Sequence, residues 1–311
     1  MTKYAVIVAL GALSYGALTS FAKIAYGEGY TAAEITFAQA SLGALTLFVL
    51  ALVKKNRTRK WRPAFSWKLL LAGTSMGLSA YCFYLSVKYI PVSLAIVLLM
   101  QVSWMSTLLE WLVFNKRPGR AAIISTVLII VGSALASNLL ATKGLEFSLK
   151  GILLALSAAF VYALYVLFTS KLENKIPMLE KSALMMTGSA LMILAVNFPS
   201  IIASTHIDMG LLQWGLFLAL FGTVIPPICF TVGMPKIGPG WSAVLLTLEL
   251  PSVVLCAHFI LKEQVDLMQI SGMLVMAGAI IYLNLSKVKA EKTEASQQKK
   301  QSLIVEQLQK V

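Results

Sequence analysis

The sequence predicts an all-α membrane protein in which ten transmembrane helices form two inverted five-helix repeats. Three observations lead there: an apolar excess that only lipid can solvate, ten runs long enough to span a bilayer, and a repeated pattern that divides them five and five. Of the 311 residues, 58% are hydrophobic and 13% charged, and the mean hydropathy is +0.81. Soluble domains run nearer half apolar and a quarter charged. A water-soluble chain of this length could not hide so much apolar surface.

A helix needs about 20 mostly apolar residues to cross a hydrocarbon core of ~30 Å. Such runs occupy 4–25, 33–53, 69–87, 92–114, 121–141, 151–170, 182–203, 211–233, 240–261 and 269–285. The first follows Lys3 in the manner of a signal peptide. It is long enough to span, however, and no clear small-x-small cleavage site follows, so it reads as a retained helix. Short loops join the runs. The most basic, 54–68, carries Lys54, Lys55, Arg57, Arg59, Lys60, Arg62 and Lys68. With the amino terminus inside, the inner segments and tail hold 21 of the 26 Lys and Arg residues; the outer segments hold only Lys23, Lys88, Lys143, Lys150 and Lys262. Positive charge stays on the cytoplasmic side. Both termini are therefore expected in the cytoplasm, and an even number of spans requires them to share a side. Trp61 and Trp67 would anchor the cytoplasmic interface. Beyond Ser286 the chain turns polar, and 286–311 is expected to be a mostly disordered cytoplasmic tail. Within it, Ser302 to Leu308 could form a short amphipathic helix.

The halves, 1–141 and 142–285, resemble each other. YCFYLSVKYIPVSLAIVLLMQVS begins at Tyr81, and ICFTVGMPKIGPGWSAVLLTLELPS begins at Ile228. Cys82 and Phe83 match Cys229 and Phe230. After one inserted residue, Lys88 matches Lys236, Pro91 matches Pro239, Ala95 matches Ala243, and Gln101 falls on Glu249. Five spans is an odd number, so the second half inserts upside down relative to the first. Two such halves can rock about a midplane site and expose it to each side in turn. Small residues recur every fourth position, at Ala12, Gly16 and Ser20, at Gly73 and Gly77, at Gly151, Ala155, Ala159 and Ala163, and at Gly215, Ala219 and Thr223. These stripes predict close helix packing. Pro226, Pro227 and Pro251 remove backbone donors within spans and predict kinks there.

The net charge of +13 lies in loops and tail, where it encodes topology, so a nucleic-acid partner is not expected. Cys82, Cys229 and Cys256 lie inside apolar runs and read as small buried hydrophobes. His206 and His258 match no zinc or haem spacing. Neither metal nor cofactor is expected.

Ionisable groups within a bilayer are costly, which makes them functional candidates. Glu249 lies about ten residues into the ninth run, near the midplane, and Pro251 frees a carbonyl nearby. Burial disfavours the charged form of such a carboxylate, which suits proton exchange; a hydrogen-bonded structural role is the alternative. Glu110, one turn from the end of the fourth run, can reach water, Lys116 or Arg117, and reads as structural. His258 is nine residues from Glu249, so at 100° per residue the two face opposite sides of the helix. Gln39 and Gln101 either hydrogen-bond a solute or link helices. Aromatics within spans include Tyr15, Tyr81, Phe83, Tyr84, Trp104, Tyr162, Tyr165, Phe230 and Trp241. Most serve packing, and a few should line a pocket. The candidate solute contacts are Tyr15, Tyr84, Gln101, Trp104, Tyr165, Phe230 and Glu249, with Glu249 also the candidate proton-coupling group.

Three segments carry a family resemblance that covers about residues 4–285. They are ALSYGALTSFAKIA, with Tyr15-Gly16 and Lys23; LSVKYIPVSLAIVLLMQVS across helices 3 and 4; and LLTLELPSVVLCAHFILKEQVDLMQISGMLVMAGAIIYL, with Pro251, Glu263, Gly272 and Gly278. Together they resemble the drug/metabolite transporter superfamily, specifically its EamA-type ten-helix exporters. The chain departs from that pattern at Gln39, where an Arg is common, at Ser103, where Pro is usual, and at Asn115, where Glu is usual. An anion-binding role for helix 2 therefore does not carry over.

The resemblance and the repeat imply a secondary carrier, not an enzyme, exporting small metabolites such as amino acids or drug-like compounds across the cell membrane by alternating access. Its expected partners are the lipid bilayer, a small-molecule solute and protons, and it is expected to act as a monomer or homodimer. An exchanger or uptake carrier for nucleotide-linked or phosphorylated metabolites is the nearest alternative. An intramembrane enzyme or a non-transporting scaffold is a further one, although no HExxH helix, paired-acid motif or Ser–His dyad is evident. No GxxxxGK[ST] loop occurs that would couple the chain to ATP in the familiar way. The expected topology is tested in a cysteine-free background. Thr58→Cys should resist, and Asp208→Cys should accept, an impermeant thiol reagent added outside cells; the reverse pattern sinks it.

Overall fold

Lipid offers no hydrogen bonds, so a spanning chain must satisfy its backbone internally, and a helix does so residue by residue. The computed structural model describes residues 2–55, 66–115, 117–136, 148–170, 176–202, 208–237 and 245–308, and every regular element among them is helical. The basic run 56–65 with Trp61, and Lys116, Lys143, His206 and Trp241, lie outside the described residues. The first half comprises α1 (Thr2–Gly27), α2 (Ala32–Lys55), α3 (Trp67–Val87), α4 (Val92–Leu99), α5 (Val102–Phe114) and α6 (Arg120–Ala136). The second comprises α7 (Leu149–Ser170), α8 (Met178–Ile202), α9 (Met209–Leu218), α10 (Ile225–Ile237), α11 (Glu249–Leu261) and α12 (Leu267–Leu308). Eight helical segments are long and apolar enough to cross a membrane, and Arg120–Ala136 and Glu249–Leu261 are shorter apolar helices at the fifth and ninth runs.

Local chemistry sets several boundaries. Thr31 and Glu34 form a capping box at the start of α2: the Thr31 N–H donates to Glu34 Oε2 at 2.7 Å, and the Glu34 N–H donates to Thr31 Oγ1 at 3.3 Å. Asp208 caps α9 by accepting from the Leu211 N–H at 2.8 Å. Asn115 and Lys262 end α5 and α11 in the left-handed conformation, with φ of 52° and 56°.

Three predicted spans are interrupted. The fourth breaks at Met100-Gln101, between α4 and α5. The ninth turns at Thr247-Leu248, within one residue of the place that the sequence repeat pairs with the first break. Pro251 explains why α11 restarts at Glu249: its missing N–H then falls in a first turn, where no helical partner is needed. In the eighth span, Ala219–Val224 forms a π-helical turn ahead of Pro226-Pro227, and the Ile225 N–H reaches back five residues to the Leu220 carbonyl. The tail departs from expectation. Described through Leu308, it continues α12 as helix instead of becoming disordered. The stretch after Ser286 contains no Gly or Pro and is rich in Ala, Glu, Lys and Gln, so nothing stops the preceding span from propagating.

The two halves interlock. α1 packs on α10 and α11 of the second half, while its counterpart α7 packs on α3, α4 and α5 of the first. α2 pairs with α8, and α6 with α12. Each half's first helix is thus held by the other half's third and fourth spans. Small residues permit the approach. A Cβ at Gly73 would strike the Met185 carbonyl, and one at Gly188 the Leu70 carbonyl, so α3 and α8 meet backbone to backbone. Ala155, Ala158, Ala159 and Ala163 of α7 are fully buried, and Ser79 Oγ of α3 donates to the Ala158 carbonyl at 2.8 Å. The outer rim carries Phe259 and Leu274, 73% and 68% exposed, a surface suited to acyl chains rather than water.

Gly73→Leu should lower the unfolding temperature in detergent, because overpacking costs about 1–3 kcal/mol even where the backbone can shift. Gly278→Ala adds a Cβ that meets nothing and should leave it unchanged or slightly raised. Equal melting of both variants would count against the close α3–α8 contact.

Candidate functional site

A cavity of about 110 Å³ lies where the interrupted spans meet. The first half contributes Tyr15, Leu18 and Thr19 from α1, Thr36 and Gln39 from α2, Ser79, Phe83 and Tyr84 from α3, and Ile96 and Leu99 from α4. The second contributes Tyr162, Met186, Ser189, Thr223 and Glu249. The volume suits a small solute; sites for drug-sized ligands occupy roughly 300 Å³ or more.

One turn of α1 is stapled to two interrupted spans, and that sets the site. Ser14 Oγ donates to the Phe221 carbonyl at 2.7 Å. This carbonyl lacks a helical donor, because the Ile225 N–H bonds to Leu220 and Pro226 has no N–H. Ser252 Oγ donates to the Leu13 carbonyl at 2.7 Å. Gly16 completes the fit, since a Cβ there would lie 2.6 Å from the Glu249 carbonyl oxygen. Tyr15, between these contacts, lines the cavity. Across from it, the Tyr84 hydroxyl is within hydrogen-bonding reach of Gln39.

Glu249 is the lone formally charged side chain among the described lining residues. It is half-buried, close enough to the Tyr15 and Tyr162 phenols for its charge to act on them, and accepts no hydrogen bond from the described residues. Its carboxylate thus faces an apolar and hydroxyl-lined space with no cation beside it among the described residues.

The other candidates occupy different places. Gln101 is buried at the break in the fourth span. Its Nε2 donates to the Val97 carbonyl at 3.1 Å, and its Oε1 accepts from Trp104 Nε1 at 2.8 Å. Both side-chain ends repair and brace the broken helix. Trp104 packs against the cluster containing Ile129 and Met276. Tyr165 stacks on Tyr162, with centroids 5.6 Å apart and planes at 8°, and packs against Leu69, Leu184 and Met185. Phe230 packs beside Gly11 of α1. The cavity therefore gathers Tyr15, Tyr84 and Glu249 of the predicted set and leaves Gln101, Trp104, Tyr165 and Phe230 behind its walls. Tyr162 takes the inward position one turn from Tyr165. Ser79 and Ser189 line the cavity without having been singled out, and Thr223, read only as a packing residue, lines it too; only their polarity at mid-span signalled it.

Glu263 forms a second polar centre about 10 Å, or two helical turns, along α1 from Gly16. It accepts from Lys23 Nζ at 3.1 Å, from the Val92 and Ser93 N–H groups at 2.9 and 3.3 Å, and from Ser93 Oγ at 3.0 Å. A carboxylate suits the positive end of α4, and here it also draws α1 to the end of α11. His258 is exposed, and its Nδ1 lies 2.9 Å from the Glu263 carbonyl oxygen, remote from the cavity. Among the described residues no cluster of His, Cys, Asp and Glu could hold a metal ion.

The sequence profile of the EamA-like transporter family matches residues 2–138 and again residues 149–285. The uncharacterized transporter YwfM of Bacillus subtilis (strain 168) is 23% identical over 257 residues, which cover 82% of this chain and 84% of that protein. A chain known from a crystal structure described only as that of a protein superposes with a TM-score of 0.60, covering 91% of this chain and 98% of its own. At 12% identity that likeness concerns the fold alone.

Gln101→Leu should lower stability by about 1–3 kcal/mol, because the Val97 carbonyl and the Trp104 N–H lose their partners in an apolar setting. Solute affinity should stay within about threefold of the parent protein, as judged by thermal unfolding and equilibrium binding on the same sample. Lost affinity with unchanged stability would reassign Gln101 to the solute.

Proposed function

Because the chain belongs to the EamA-like transporter family, we propose that it is a secondary carrier exporting small metabolites, such as amino acids or drug-like compounds, across the cell membrane by alternating access. It is a multi-pass membrane transporter by family and by its apolar helices. The observation that carries the finer reading is the cavity between two interlocked halves, lined from both and set at interrupted spans. Irregular backbone at membrane depth is tolerated where it is buried or lines a cavity, and such sites sit between the repeats of many carriers. Movement of one half against the other would open the cavity first to one side and then to the other. A single chain encloses the cavity, so a monomer suffices. The 21-to-5 split of basic residues supports cytoplasmic termini and insertion in the cell membrane.

Within this reading Tyr15 and Tyr84 contact the solute, and Glu249 exchanges a proton as the carrier alternates. A carrier for nucleotide-linked or phosphorylated metabolites fits less well, because no described lining residue is cationic. Purified protein in sealed vesicles should move members of an amino-acid and drug panel, faster by tenfold or more under a pH gradient. Glu249→Gln preserves shape while removing the titrating group. It should abolish pH-driven flux and leave exchange at equal pH largely intact. Undiminished pH-driven flux in that variant would return Glu249 to a structural role.

A further inference from the structure

We infer that Glu263 latches the outer end of the carrier shut by gripping Lys23 of α1 and the start of α4, so that the solute-free protein rests closed to the outside. This rests on the carrier reading and its orientation, and it adds a difference between the two faces that an inverted repeat alone would not give.

The grip joins three elements. Glu263 follows Lys262, whose left-handed conformation ends α11, and its N–H donates back to the Ala257 carbonyl at 3.1 Å. Both carboxylate oxygens are engaged: Oε1 accepts from Lys23 Nζ and the Val92 N–H, and Oε2 from the Ser93 N–H and hydroxyl. The side chain is 12% exposed, so little water competes for these bonds. Hydrogen bonds to a charged acceptor are also roughly twice as strong as neutral ones. Val92 and Ser93 open α4 just after the corner that joins it to α3, so the grip holds that corner against α1 and α11. The Tyr26 hydroxyl of α1 donates to the Tyr84 carbonyl of α3 at 2.9 Å, a second hold on the same hairpin. Along their helices, Ala22 of α1, Val87 of α3, and Val253 and Ala257 of α11 sit between the cavity residues and the grip. They belong to one packed cluster, each at most 1% exposed. The cavity reaches the outer side only when this cluster and the grip beyond it part.

The sequence repeat carries neither partner of this ion pair to the opposite end. Continued from Gln101 and Glu249, the match sets Asn115 opposite Glu263. Matching instead the left-handed residues that end α5 and α11, Asn115 and Lys262, sets Lys116 there. Neither is a carboxylate. Ala12-Leu13-Ser14 of α1 matches Ala155-Leu156-Ser157 of α7, which sets Val166 opposite Lys23. Two equivalent faces would open with equal ease. A charged grip that forms only when one face is closed shifts the balance toward that closed state.

Access to the cavity from outside tests this. In a cysteine-free background, Ala80→Cys places a thiol on the cavity wall, and an impermeant thiol reagent is added to intact cells without solute. With Glu263 and Lys23 in place, labelling should be slow. Glu263→Gln keeps an acceptor for α4 without the charge, and Lys23→Met removes the cation. Each should speed labelling roughly tenfold or more, the scale of one lost hydrogen bond to a charged group. Lys23→Met leaves the carboxylate on α4, so it carries the test if Glu263→Gln fails to fold. Labelling of the intact carrier as fast as that of the variants, or a smaller rise in either folded variant, would overturn the inference. Labelling requires no transport, so the carrier reading is judged separately by flux of the solute panel. Thr58→Cys and Asp208→Cys identify the outer face independently of both.

Discussion

Inside a bilayer, a carbonyl that loses its helical donor has no water to turn to. Each interruption of a span must therefore be repaired by the protein, and the cavity exists because these repairs are possible. At the break between α4 and α5, Gln101 places its own amide on the Val97 carbonyl. At the π-helical turn, Ser14 of another helix supplies the hydrogen that Pro226 cannot. At the start of α11, Pro251 falls where an N–H is dispensable. Two of these repairs are local to their own span, while the one at the π-helical turn is made across the halves, so that span depends on the assembled bundle.

The same dependence explains the interlock. Helix α1 bonds to carbonyl and hydroxyl groups of the second half, and α7 lies in the mirrored position against the first. Hydrophobic attraction between helices is weak in lipid, leaving van der Waals contact and interhelical hydrogen bonds to hold the bundle. Gly16, Gly73 and Gly188 matter because backbone must touch backbone for either to act at full strength. Glu263 adds a polar tie outside the cavity, joining Lys23 and the start of α4 to the end of α11. Its charge is matched on several sides. That of Glu249 is matched on none among the described residues, and this contrast between two carboxylates of one helical hairpin sets a fastening apart from a carboxylate left unmatched at the cavity.

The fold class, the number of spans and the twofold repeat were legible in the sequence, because lipid imposes them through composition alone. Apolar length counts spans, and the pairing of Cys82 and Phe83 with Cys229 and Phe230 reveals the repeat. Glu249 was legible for the same reason, as a carboxylate that hydropathy places at mid-membrane. Which neighbours it has was not. Tyr162 and Tyr165 lie one turn apart on one helix, and periodicity cannot choose between them; packing of Tyr165 against Leu69, Leu184 and Met185 does. Gln101 looked equally fit to hold a solute or a helix, and the carbonyl stranded by a break two turns inside its span took it. The clamp of Glu263 joins it to residues some 170 and 240 positions away, which no local pattern reveals. Composition decides what lipid will accept, residue by residue and locally. Which polar groups are consumed in holding the bundle, and which one is left unmatched at the cavity, depends on who stands opposite whom, and that arises only when the two halves close on each other.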